Sequence, residues 1–209
     1  MAFWFGGIAL SEPDVWYVDR RVTVPIITLL GDSVSAGYGL RPREALPVRL
    51  EAALSALGID AEVIGAGVSG DTMRNGLARL ERSVPAKTDL CVVALGANDL
   101  MQSVQPERIR ADLDAIVSRL SARRISVLLC GMRAPPWIGN YARAFDAVFP
   151  AAARAHDVPL YPFLLEGVAL DPRFSLPDRI HPNARGIEIV ARNLAPFVIR
   201  ALPSPWRPN

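Results

Sequence analysis

The chain has 209 residues, enough for one well-buried domain and short for two. A hydrophobic content of 51% with 21% charged residues excludes a disordered protein, and a formal net charge of +2 spread over scattered arginines excludes the basic stripe of a nucleic-acid binder. No run reaches the roughly 18 consecutive apolar residues that a membrane span requires.

Residues 1–22 read as an arm ahead of the domain. Met1 to Leu10 is apolar but has no basic start, and Glu12, Asp14 and Asp19 stand where a small-residue cleavage site belongs. It makes a poor signal peptide, so a cytoplasmic protein is expected. Trp4, Phe5 and Trp16 either pack the arm on the domain or meet a partner.

The domain proper, residues 23–202, opens with Ile26-Ile27-Thr28-Leu29-Leu30, an apolar run bounded by Pro25 and Gly31 that predicts a strand buried on both faces. Arg43 to Leu57 follows with Leu46, Leu50, Ala53, Leu54 and Leu57 on one helical face, ending at Gly58. Ala61 to Ile64 reads as a second strand, Gly65 to Thr72 as a glycine-rich loop, and Arg74 to Val84 as a helix closed by Pro85. Leu90 to Leu95 predicts the third strand. Pro106 opens a long helix to Arg123, with Ile109, Leu113, Ile116, Val117 and Leu120 on its apolar side. Ile125 to Cys130 is a fourth strand, Asn140 to His156 a helix, Val158 to Phe163 a short fifth strand. A last helix runs from Pro182 and Asn183 to about Ala201, and residues 203–209 read as a tail. Strands alternating with helices imply a three-layer α/β/α fold, flavodoxin-like, around a five-stranded parallel sheet.

Cys91 and Cys130 fall on neighbouring strand patterns but about four residues out of step, roughly 13 Å apart, so two free buried thiols are expected.

Four loops after successive strands carry polar groups to one edge of such a sheet, where open α/β sheets bind ligands. Ser33, just past the first strand, is the candidate nucleophile. A serine hydroxyl needs an adjacent base, and the chain has only two histidines. His156 precedes a strand, at the opposite edge, and reads as a surface or helix-capping residue. That leaves His181. Asp178, three residues earlier, is placed to orient the imidazole or, alternatively, to cap a helix. Gly70, Asn98 and the Ser33 amide are candidate donors for an oxyanion; a loop glycine is otherwise a turn residue. Asp32, Asp71 and Asp99 read as structural carboxylates bonding backbone amides. Leu100, Met101, Pro135, Trp137 and Ile138 lie on loops at the same edge and would line an apolar substrate pocket or simply cover the core.

Gly31-Asp32-Ser33-Val34, Ser69-Gly70-Asp71-Thr72, Gly96-Ala97-Asn98-Asp99 and Asp178-Arg179-Ile180-His181-Pro182-Asn183 resemble, in order, four sequence blocks of the SGNH, or GDSL, hydrolase family. Within it the chain is similar to the bacterial arylesterases and to the acyl-CoA thioesterase that also acts as a lysophospholipase. The resemblance implies Ser33 as nucleophile, His181 as base, Asp178 as its orienter, and the Ser33 amide, Gly70 and Asn98 as the oxyanion hole. It implies no metal or organic cofactor, a small-molecule ester substrate and, for location, the periplasm as the alternative to the cytoplasm. The expected function is a serine esterase acting on short- to medium-chain carboxylic esters, aryl esters foremost, with thioesters and lysophospholipids in range. A carbohydrate O-deacetylase and a non-catalytic flavodoxin-like binding module are the rival readings. Val34, Gly65 and Leu100 depart from the family's usual leucine, asparagine and glycine. The Gly-x-Ser-x-Gly pattern of the nucleophile-elbow hydrolases is absent. No oligomeric state follows from the sequence.

Overall fold

In the computed structural model, residues 24–204 and Trp206 are described, and the arm expected over residues 1–22 lies outside them. Five parallel strands form one sheet: β1 (Ile26–Gly31), β2 (Glu62–Gly67), β3 (Leu90–Ala94), β4 (Ser126–Cys130) and β5 (Leu160–Tyr161), in the spatial order β2-β1-β3-β4-β5. β3 is buried throughout and β1 from its second residue on, because each has a strand on both sides and helices above and below. β2, at the edge, has no fully buried residue: Glu62 and Gly65 are exposed and the other four half-buried.

The helices are α1 (Ser33–Ala36), α2 (Leu46–Ser55), α3 (Met73–Ala78), α4 (Leu80–Ser83), α5 (Ala97–Met101), α6 (Pro106–Ala122), α7 (Asn140–His156) and α8 (Ala184–Ala201). α2 packs on α8, while α6 packs between α3 and α7. The chain steps from β1 outward to β2 and then back past β1 to β3. Since parallel crossovers are right-handed, that reversal puts α2 and α6 on opposite faces and opens a crevice beyond the carboxyl ends of β1 and β3. Ile109, Leu113, Ile116, Val117 and Leu120 of α6 are buried, as their spacing predicts.

Several boundaries differ from expectation, each for a local reason. The helix expected from Arg74 to Val84 is two, broken where Arg79 leaves helical geometry (φ −106°, ψ 6°). The first long helix starts at Leu46, after a 3-10 turn over Pro42–Glu44, because Pro47 lacks an NH and fits only the first turn. β5 has only two residues: Pro159 and Pro162 flank it without ladder donors, and Val158 N donates to Ala153 O at the end of α7. β2 extends through Gly65-Ala66-Gly67, which pair with Leu29, Leu30 and Gly31. Those small residues are needed there. A Cβ on Gly65 would lie 2.9 Å from Pro47 Cγ, and one on Gly67 would lie 2.8 Å from Asp32 O.

Cys91 pairs in register with Val127, which puts Cys130 three residues further along rather than four. Both thiols are free and buried, and burial pushes the Cys91 thiol up to about 12 and Cys130 higher still. After α8, Trp206 packs against the core with its NH on Pro203 O (2.9 Å), so the segment expected as a tail is in part docked.

Candidate active site

Ser33 is the first residue of α1, and a tight packing arrangement puts it there. Gly31 and Gly67 lie side by side at the ends of β1 and β2, and α1 rests on them: a Cβ on Gly31 would collide with the Ser35 side chain. Asp32 caps the turn, its Oδ1 accepting from Val34 N (3.0 Å), and Gly37 closes it in the left-handed region at φ 74°. The Ser33 amide, at the first helical position, has no intrahelical acceptor and is free to donate outward.

His181 arrives from a long excursion after β5 that is stitched by its own backbone. Leu176 N donates to His181 O (2.7 Å), Asn183 N to Phe174 O (2.8 Å), and Asn183 Oδ1 accepts from Gly186 N (3.0 Å) as the cap of α8. This braced loop sets His181 Nε2 at 2.9 Å from Ser33 Oγ. On the ring's other side, Asp178 Oδ2 lies 2.7 Å from Nδ1. Asp178 Oδ1 accepts from the amides of Ile180 (2.9 Å) and His181 (3.0 Å). These bonds hold the Asp178 carboxyl down at about 2. The Tyr38 ring lies 4.5 Å from the imidazole, centroid to centroid. His156, by contrast, bonds Asp114 on α6 (2.9 Å) from the last turn of α7.

Gly70 sits in a turn closed by Asp71 N on Val68 O (3.2 Å), at φ 87°, a conformation glycine holds without strain. Asn98 is buried on α5, and its Nδ2 donates one hydrogen to Asp71 O (2.9 Å). That bond ties the Asn98 amide to the Gly70 turn and leaves its second hydrogen without an acceptor among the described residues. Asp99 Oδ2 accepts from Met73 N (2.8 Å), and burial raises its pKa. Ser33, His181 and Ala97 form part of the wall of a cavity of about 550 Å³; Gly70 and Asn98 do not line it. Leu100, Met101, Pro135 and Trp137 are on that wall, as the sequence suggests. Ile138 is not: it ends the 3-10 turn Pro136–Ile138 and is 41% exposed. Met132, Phe163, Leu165 and Leu170 are among the other apolar residues of the lining.

Residues 29–189 match the GDSL-like lipase/acylhydrolase family. The chain belongs to that family. It is 34% identical to an arylesterase of Vibrio mimicus over 84% of this chain and 89% of the relative. It is 35% identical to thioesterase 1/protease 1/lysophospholipase L1 of Escherichia coli, over 86% and 82%. The crystal structure of AlinE4, an SGNH-hydrolase family esterase, superposes with a TM-score of 0.71 at 44% identity, covering 87% of this chain and 98% of that one. This acylhydrolase is accordingly a carboxylic ester hydrolase.

Two groups near the acylhydrolase's site escape sequence reasoning. Arg79, 5% exposed, donates from Nε to Asp71 Oδ2 (2.5 Å) and from NH2 to Gly31 O (2.8 Å). One guanidinium thus joins the end of the serine-bearing strand to the loop that carries Gly70 and, through Asp71 O, anchors the Asn98 side chain. Its signal in the sequence is faint: a lone arginine between Leu77-Ala78 and Leu80 in an otherwise apolar stretch. The second is Tyr38, flanked by Gly37 and Gly39. Asp32 behaves as a buried carboxyl, pushed up to about 6 by desolvation against the pull of Val34 N and His181. Its Oδ2 has no hydrogen-bond partner among the described residues. Among those residues no cluster of three or more His, Cys, Asp or Glu side chains is arranged to hold a metal ion. No helix among them is long and apolar enough to cross a membrane.

Proposed function

We propose that the acylhydrolase cleaves short- to medium-chain carboxylic esters, aryl esters foremost, through an acyl-Ser33 intermediate. The observation that carries this is the unbroken line from Asp178 Oδ2 to His181 to Ser33 Oγ, at 2.7 and 2.9 Å. His181 Nε2 takes the Ser33 proton as Oγ adds to the acyl carbon, and Asp178, ionised throughout the neutral range, steadies the imidazolium. The carbonyl oxygen, now an oxyanion, is met by the Ser33 and Gly70 amides and by the spare hydrogen of Asn98 Nδ2, each such donor being worth about 10²- to 10³-fold in rate. The tetrahedral intermediate collapses as the imidazolium protonates the departing alkoxide or phenoxide. Water, deprotonated by the same His181, then adds to the acyl-serine; the bond from the acyl carbon to Ser33 Oγ breaks, Oγ takes back the proton from the imidazolium, and the acid is released.

The substrate range is supported by the wall of the cavity, whose apolar side chains suit an alkyl or aryl group. A sugar would need a ring of hydroxyl partners, and beyond Ser33 and His181 the described residues of the wall offer Arg133 and Arg179 as their charged side chains. Hydrolysis of p-nitrophenyl esters of increasing chain length by wild type and Ser33→Ala tests both parts. Turnover peaking at short to medium chains, with a loss of several orders of magnitude in Ser33→Ala, is expected. An active Ser33→Ala variant would remove Ser33 from its role, and a long-chain optimum would overturn the substrate range.

A further inference from the structure

Among the described residues the cavity wall is apolar except for Ser33, His181 and two arginines, and no aspartate or glutamate of theirs lines it. The two cations are not equivalent. Arg133 lies 4.0 Å from Glu166 and 5.6 Å from the centre of the Phe163 ring, so part of its charge is answered. The Arg179 side chain makes no ion pair or hydrogen bond among the described residues, and the acids nearest it in sequence are already committed. Asp178 spends both oxygens on Ile180 N, His181 N and His181 Nδ1, and Asp171 is held by Arg173.

Arg179 also stands in an unusual backbone conformation. Its φ of 63° is in the left-handed region, where a glycine would sit without strain. The turn is fixed by Arg179 N on Leu176 O (3.0 Å). A strained, non-glycine residue between the base and its orienter is the kind of outlier that marks a functional site. What this one supplies is an exposed guanidinium, without a partner among the described residues, on the wall of an apolar cavity.

We propose that Arg179 is a specificity-determining residue that binds an anionic group, a carboxylate or a phosphate, carried by the ester substrate. The proposal rests on reading this cavity as the substrate site and narrows its substrate class to esters with a negative charge near the scissile bond. A guanidinium offers such a group paired, charge-assisted hydrogen bonds, and the neighbouring apolar wall offers no competing polar side chain. The charge comes either on the acyl part, as in the monoester of a dicarboxylic acid, or on the leaving group, as in an acylated hydroxy-phosphate.

Three esters separate these cases: p-nitrophenyl butyrate as the neutral reference, mono-p-nitrophenyl glutarate with the carboxylate on the acyl side, and 4-(butyryloxy)phenyl phosphate with the charge on the leaving group. The readout is kcat/KM for each anionic ester divided by that for the neutral one, in wild type, Arg179→Gln and Arg179→Lys, at low and high salt. For one of the two anionic esters the ratio is expected to fall about tenfold in Arg179→Gln, mainly through KM, to recover partly in Arg179→Lys, and to shrink with salt. The ester that responds identifies the side on which the anion sits. Ratios unchanged by Arg179→Gln for both anionic esters, alongside normal turnover of the butyrate, overturn this proposal and leave the esterase site standing. Absence of turnover for all three esters overturns the reading of the site itself.

Discussion

Arg79 shows how a side chain remote from the reacting atoms can still set their geometry. A buried ion pair is a poor source of net stability, because desolvating two charges offsets their attraction, yet removing one partner strands the other and costs about 3–5 kcal/mol. Here the pair joins Asp71, whose carbonyl holds Asn98, to the carbonyl two residues before Ser33. Arg79→Met is therefore expected to lower the melting temperature and, below it, to reduce kcat by one to two orders of magnitude with KM little changed, since the proposed oxyanion donors would act only in the transition state. Steady-state kinetics would show the loss in KM instead if the pair merely shaped the cavity. Asp32 carries a different liability. Its pKa rises from 3.8 to about 6 on folding, so between those values the native state holds more protons than the unfolded chain and stability falls as pH rises. Asp32→Asn, which keeps the oxygen that caps Val34 N, is expected to be about 2–3 kcal/mol more stable than wild type at pH 8 and nearly equal below pH 4. Denaturant melts at the two pH values check this, and an equal gain at both would place the effect elsewhere than in the carboxyl's charge.

Elements differ in how plainly they could be read beforehand. β1, β3 and α6 announce themselves because buried strands are continuous apolar runs and α6 repeats its apolar residues at helical spacing. Ser33 could be singled out because it follows the first buried strand, and His181 with Asp178 because a chain with two histidines leaves little choice of base. The elements that escaped are those whose residues answer to distant neighbours. Gly65 and Gly67 look like turn residues but belong to β2, where Pro47 and the turn bearing Ser33 require their lack of a side chain. The break between α3 and α4 has no local breaker; the helix gives way so that Arg79 can reach Asp71 and Gly31. The positions of Tyr38 beside the imidazole and of Ile138 off the cavity wall likewise depend on loop paths that no periodicity encodes.

Across the whole molecule, the sheet order puts the loops after β1, β2 and β3 side by side by topology alone, so the serine and its two neighbouring loops are assembled as soon as the first three strands pair. The histidine is another matter. It is 148 positions from Ser33, comes in beyond a two-residue strand, and depends on an excursion anchored to the cap of α8. Closing so long a loop carries an entropic cost that local contacts do not recover, so this step belongs late in folding. In refolding from denaturant, the far-ultraviolet helical signal is expected to return before esterase activity; simultaneous recovery would mean that the excursion docks with the sheet. The order has a consequence in time. On a ribosome Ser33, the proposed nucleophile, emerges early and His181, its proposed base, late, so a growing chain, or a fragment cut short before His181, would hold a serine that cannot yet be switched on.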